Sequence, residues 1–279
     1  MRRTHRLAVL TAAATGVLIV FGGLVTNTGA ALAVPDWPTT FGHNMFMFPW
    51  SQMVGGVFYE HSHRLLGSVV GLLTVALAVA LWPRGGRLRA LGIVAVVAVI
   101  AQGVVGGLRV VLLTDGLAMV HGPLAQGFFA LVVAIALITS ERMAQPAPAL
   151  DGGTRGLTLA AALLVYVQIV FGALAVFALV PVVTARLRRT GDAVAAPAAR
   201  ALLLLLAVQL LLGVGAYLVR FSAIWIPGGQ LTMLALPVAH RLTGGLILAA
   251  GVILAVRVMT GSRSATAPVV SQRAFGIAR

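Results

Sequence analysis

Four histidines and one glutamate carry most of the chemistry this sequence offers. Its six histidines are His5, His43, His61, His63, His121 and His240. His5 shares a basic tail with Arg2, Arg3 and Arg6 and reads as solvated. His43 lies among Phe41, Met45, Phe46 and Phe48, where a structural hydrogen bond is the expected role. The other four adjoin long apolar runs. Glu60 and His63 are three residues apart, so on a helix they project from nearly the same face. His61 points about 100° away from Glu60 and is the weaker candidate. An ionisable residue at a membrane boundary is expensive and marks a functional site by default. His121 opens a later apolar run on the same side as His63.

The residue types narrow the chemistry. There is no cysteine, which excludes disulfides, thiolate metal sites, iron–sulfur clusters and cysteine nucleophiles. Zinc normally needs three or more protein ligands. A haem needs one or two axial ligands and a flat slot between helices. Two imidazoles from two helices of an apolar bundle suit haem better than zinc, and simple hydrogen bonding between helices is the competing reading. Haem propionates favour nearby guanidinium groups. Arg64 follows His63, Arg241 follows His240, and Arg109 and Arg220 close apolar runs. Each is a propionate candidate, with snorkelling to the membrane surface as its alternative role.

These residues must be positioned by membrane-spanning helices. Of 279 residues, 60% are hydrophobic and 9% charged, and the mean hydropathy is +1.03. Soluble domains run near 45–50% apolar and about 25% charged. That excludes soluble enzymes and nucleic-acid binders, despite a net charge of +14 carried by 20 basic residues that are all arginine. A span needs roughly 20 apolar residues. Such stretches run over Leu7–Val25, Leu65–Trp82, Ala90–Leu113, Leu117–Ile138, Leu157–Thr184, Ala201–Val219 and Leu234–Met259. The first continues through Gly22-Gly23-Leu24-Val25-Thr26 without a convincing cleavage site, so it reads as a retained span rather than a signal peptide. Arginine in short loops marks the cytoplasmic side. It places the N-terminus, Pro83–Arg89 and Arg142–Arg155 inside, and Asn27–Tyr59 and Thr114-Asp115-Gly116 outside.

The second half fits that pattern less simply. Arg155 and the group Arg186, Arg188 and Arg189 both read as cytoplasmic, yet roughly 30 residues separate them. That is too many for one upright helix and too few for two full crossings at about 1.5 Å per residue. Either the segment forms a short hairpin, or it crosses once and breaks the arginine pattern. The halves also echo each other. Ile19-Val20-Phe21-Gly22-Gly23-Leu24 recurs as Ile169-Val170-Phe171-Gly172-Ala173-Leu174, and the run from Gln102 to Arg109 resembles that from Gln209 to Gly215. Val120-His121 and Ala239-His240 each follow a short turn. Small residues at close spacing suit tight helix packing, and their matched order points to duplication. The expected fold is all-α: a polytopic helical bundle of two pseudo-repeated four-helix halves, 1–145 and 146–279. The second half is shortened around 157–184, giving seven full spans, or eight with a short hairpin.

Three motifs together resemble the membrane-embedded haem A synthases. They are Gly22-Gly23-Leu24-Val25-Thr26-Asn27-Thr28-Gly29, Ala33-Val34-Pro35-Asp36-Trp37-Pro38-Thr39-Thr40 and Tyr59-Glu60-His61-Ser62-His63-Arg64-Leu65-Leu66-Gly67. His121 and the segment Gln209 to His240 match in order. The resemblance implies an N-terminal half that binds the substrate haem O through His63 and His121. It implies that Glu60 takes part in oxidising a haem methyl to a formyl group, giving haem A for terminal oxidases. It further implies a C-terminal haem B cofactor on His240, a haem O-producing enzyme and an electron acceptor as partners, and the cytoplasmic membrane of a prokaryote as location. Homo-oligomers are compatible with it. The sequence departs from the family in one respect: no histidine lies between Gly152 and Ala239, where a second C-terminal ligand belongs. The alternative function is a haem-b-binding membrane protein that transfers electrons or carries haem.

Overall fold

The computed structural model describes residues 2–148, 150–171, 175–221 and 228–264. They form α1 (Arg2–Asn27), α2 (Gly55–Leu81), α3 (Gly86–Leu112), α4 (Asp115–Ile138), α5 (Gly152–Phe171), α6 (Ala175–Arg188), α7 (Ala195–Phe221) and α8 (Gly229–Ser264). Single 3-10 turns lie at Met45–Met47, Trp50–Gln52, Trp82–Arg84 and Glu141–Ala144. A lipid interior offers no partner for backbone N–H and C=O groups, so the apolar runs must close their hydrogen bonds within helices. Among the described residues, six helices are long and apolar enough to cross a membrane, and the chain is an integral membrane protein. The usual burial pattern is inverted, since Leu72, Val79, Val97 and Leu211 point outward, each more than 60% exposed. Buried threonines return their hydroxyls to the preceding turn, as Thr11 does to the Leu7 carbonyl and Thr74 to that of Val70, so these hydroxyls are satisfied within their own helices.

The helices begin earlier than the apolar windows indicate. α2 starts at Gly55 rather than near Leu65, so Glu60, His61, His63 and Arg64 all lie within its first three turns. Helical structure continues beyond the apolar stretch because these polar side chains find partners in the loop above. His5, expected in a solvated tail, is helical, and its Nδ1 meets the Ala136 carbonyl of α4 at 2.8 Å.

The ambiguous 157–184 segment is a hairpin and not a single span. α5 and α6 pack against each other, and Arg186 near the end of α6 reaches Thr154 at the start of α5. Arg155 and Arg186 to Arg189 therefore share one end of the bundle, which removes the conflict in the arginine pattern. Over their described residues α5 rises about 30 Å and α6 about 21 Å. One apolar cluster joins α1–α4 around Leu77, Phe128 and Ile135. A second joins α5–α8 around Leu187, Leu202 and Leu254 and includes Ala130 of α4. α8 packs against α1 and α4 as well as α5 and α7.

At the arginine-rich end, Arg257 is 1% exposed. It holds Asp192 through Nε and Nη2, at 2.7 Å for the shortest bond, and donates to the carbonyls of Gln145 and Pro146. The α4–α5 connection, the α6–α7 turn and α8 are thus pinned at one point.

Candidate haem site

His63 of α2 and His121 of α4 meet inside the first four helices, with ring centres 6.5 Å apart and planes inclined at 75°. Imidazole–metal bonds of about 2.1 Å put a ring centre roughly 3.2 Å from the metal. Two rings bound to opposite faces of one iron would stand about 6.4 Å apart. Nδ1 of each ring is buried without a hydrogen-bond partner. The Leu18 carbonyl lies beside the His63 ring and the Gln102 carbonyl beside the His121 ring, so each ring has a backbone group for one nitrogen while the other can meet a ligand. Among the described residues, no group of three or more His, Asp or Glu could hold a metal ion, so the donor set suits a haem rather than a zinc ion.

Each ring is seated on a glycine of the neighbouring helix. A methyl group at Gly22 of α1 would lie 3.1 Å from Cε1 of His63, and one at Gly106 of α3 would lie 3.1 Å from Cε1 of His121. His240 of α8 repeats the arrangement on Gly213 of α7, again at 3.1 Å. The carbonyls of Leu18, Gln102 and Gln209, each one turn before its glycine, neighbour the three rings. Sequence reasoning missed these seats. Their signal was present in the repeat, where Gly106 and Gly213 each follow a glutamine by four residues, but small residues there read as generic helix packing. Gly23, beside Gly22, faces Val238 of α8, so adjacent residues of α1 touch both histidine neighbourhoods.

The loop between α1 and α2 caps this region. Glu60 is 5% exposed and uses both oxygens: Oε2 accepts the Val34 N–H at 2.9 Å and Oε1 accepts from Arg64 at 2.8 Å. Arg64 also donates to the carbonyls of Val34, Asp36 and Thr39. Four of its five N–H donors are thus directed at the loop and at Glu60. The reason is local: the Pro35-Asp36-Trp37-Pro38 turn leaves carbonyls that no helix partner can satisfy. Asp36 accepts from the N–H groups of Phe41 and Gly42 and from the Thr39 hydroxyl. Burial works to raise its carboxyl, but those bonds outweigh it and hold the pKa below the ordinary range. His61, 1% exposed, contacts the Thr40 hydroxyl at 3.1 Å and Phe48, locking the same loop. Trp37 lies so closely against Gly107 that a methyl group there would clash with the indole. Trp37 is 39% exposed, and its seat adjoins the glycine that holds His121.

The second half offers less. The Gln209 amide meets His240 Nε2 at 3.2 Å, while His240 Nδ1 is buried without a partner. These residues fit a group bound through one histidine and not one held between two. Arg109 closes α3 within electrostatic reach of His121, and Arg241 stands beside His240. The Arg220 side chain lies outside the described residues.

The sequence model of the cytochrome oxidase assembly proteins (COX15-CtaA) matches residues 5–278. The haem A synthase of Shouchella clausii is 31% identical over 176 residues, covering 60% of this chain and 57% of that protein. Those of Bacillus pumilus and Alkalihalophilus pseudofirmus are 31% and 30% identical over 141 and 114 residues, covering 48% and 39% of this chain and 44% and 37% of theirs. The chain thus spans about half the length of the curated relatives it matches. With the match running almost end to end, the chain belongs to the cytochrome oxidase assembly protein family, the family of the haem A synthases.

Proposed function

We propose that this protein is a haem-modifying membrane oxidoreductase that oxidises a methyl group of haem O to the formyl group of haem A. The observation that carries the reading is the pairing of His63 and His121 at 6.5 Å. In this reading residues 1–145 form the substrate half, and the two imidazoles hold the haem O iron. Glu60, paired with Arg64 at 2.8 Å, is three residues from His63 and would stabilise positive charge developing on a substrate held there. Trp37 and its loop exclude water from the outer end. Arg109 is the propionate candidate nearest His121, with Arg241 the counterpart beside His240. Residues 146–279 form the cofactor half, with His240 the ligand for a haem B that would supply electron transfer. A haem O-producing enzyme and an electron acceptor serve the reaction. The arginine-rich helix ends lie in the cytoplasm of a prokaryotic cell, with the N-terminus among them.

The test is expression with haem O available, followed by extraction and chromatography of the haems. Haem A is expected, and its absence with haem O bound refutes the assignment. The single histidine of the second half, engaged by Gln209, favours a second reading as an electron-transferring or haem-carrying protein. That reading gives a b-type spectrum and no new haem.

A further inference from the structure

A cavity of about 560 Å³ opens where α5 begins and α6 ends, lined by Leu150, Asp151, Thr154, Arg186, Arg189 and Thr190. It lies at the arginine-rich end, away from all three histidine seats, and the haem chemistry does not use it. We propose that this cavity binds the phosphate group of an anionic phospholipid, with Arg186 and Arg189 as the recognising groups.

Three observations converge on that ligand. First, the two arginines sit one turn apart on the same side of the hairpin, and guanidinium forks match phosphate oxygens. The threonine hydroxyls are already committed, Thr154 to Asp151 and Thr190 to the Leu187 carbonyl, and Arg186 spends one N–H on the Thr154 oxygen at 3.4 Å, so anion binding falls to its remaining N–H groups and to Arg189. Second, the cavity's carboxylate directs its hydrogen bonds to α5, although it lies within electrostatic reach of Arg186. Asp151 takes the Thr154 N–H at 2.8 Å and the Thr154 hydroxyl at 2.6 Å, capping α5. It retains lone pairs for a hydroxyl donor, such as the glycerol of phosphatidylglycerol, while disfavouring a small free anion. Third, the cavity adjoins lipid-facing helix surface. Val182, one turn before Arg186 on the same face of α6, is 46% exposed, and Leu150 adds an apolar wall. A basic pocket between helices at such a surface is a headgroup site by its chemistry.

The experiment uses the full chain purified in detergent, with thermal unfolding read against added phosphatidylglycerol, phosphatidylcholine or inorganic phosphate. Phosphatidylglycerol raises the midpoint, and the other two leave it unchanged. In the double variant Arg186→Gln/Arg189→Gln the lipid binds about thirtyfold more weakly. Arg188→Gln removes one exposed charge outside the cavity and retains the full response. Equal stabilisation by phosphatidylcholine, full stabilisation by phosphate alone, or a loss in Arg188→Gln as large as in the double variant each overturns the assignment.

Discussion

Replacing Glu60 with alanine tests whether the buried Glu60–Arg64 pair holds the loop over the histidine pair. The side chains of Glu60 and Arg64 are 6% and 9% exposed, and Val34, whose N–H bonds Glu60, is fully buried. Removing one partner of a buried pair costs about 3–5 kcal/mol because the other charge is stranded. Arg64 keeps its three carbonyl acceptors, so the lower end applies, about 3 kcal/mol. At tenfold per about 1.4 kcal/mol, that is roughly a hundredfold rise in the open population of the loop. Hydrogen exchange reads it directly, since the Val34 amide should exchange about a hundred times faster in Glu60→Ala. Arg64→Ala strands the carboxylate and should open the loop to a similar extent. The double variant strands neither charge, so its cost falls below the sum of the two. Unchanged Val34 exchange in Glu60→Ala, or strictly additive costs in the double variant, would refute the argument. The same set separates two roles for Glu60: Arg64→Ala opens the loop yet keeps the carboxylate, so a chemical role shows as haem A loss in Glu60→Ala beyond that in Arg64→Ala.

The remaining predictions concern the glycine seats and the buried clasp. A methyl at Gly22 or Gly106 would lie 3.1 Å from its imidazole, against an ordinary carbon contact of about 3.5–4.0 Å. Each ring must then retreat by about 0.4 Å, and the double variant Gly22→Ala/Gly106→Ala should bind haem about 10–100-fold more weakly with a shifted absorption spectrum; wild-type affinity and spectrum together would dismiss the seats. Asp192→Asn should cost about 3 kcal/mol at neutral pH, since it strands the buried Arg257. Burial acts to raise the Asp192 carboxyl, but the Arg257 bond, the Ala195 and Val194 amides and the Arg257 charge outweigh it and lower the pKa from 3.8. A depressed carboxyl stabilises fully above its unfolded value and loses that contribution as pH falls through the folded one. The gap between wild type and Asp192→Asn in denaturant unfolding should therefore be constant near neutrality and narrow below about pH 3.8; a gap that widens on acidification contradicts the clasp.

The amino-acid sequence by itself determined the solvent of this protein and the direction in which it threads. Apolar runs of span length and arginines clustered between them are local properties, set by the transfer cost of each side chain. They also put His63, His121 and His240 near helix ends. Tertiary structure decided which of these histidines meet. Helical spacing says which residues share a face but not which helices are neighbours, so the pairing of His63 with His121 waited on the packing of α1–α4. Arg64 illustrates the same limit: beside a histidine in sequence it suggests a propionate partner, and only the loop folded over it reveals four competing acceptors. Arg257 and Asp192 are 65 residues apart, with nothing local to announce them. The segment 157–184 was undecidable because its length fits neither one span nor two full crossings, and contact between the far ends of α5 and α6 brought its flanking arginines together. Burial, pairing and close approach are properties of surfaces brought together from distant parts of the chain, and no window of sequence contains both sides.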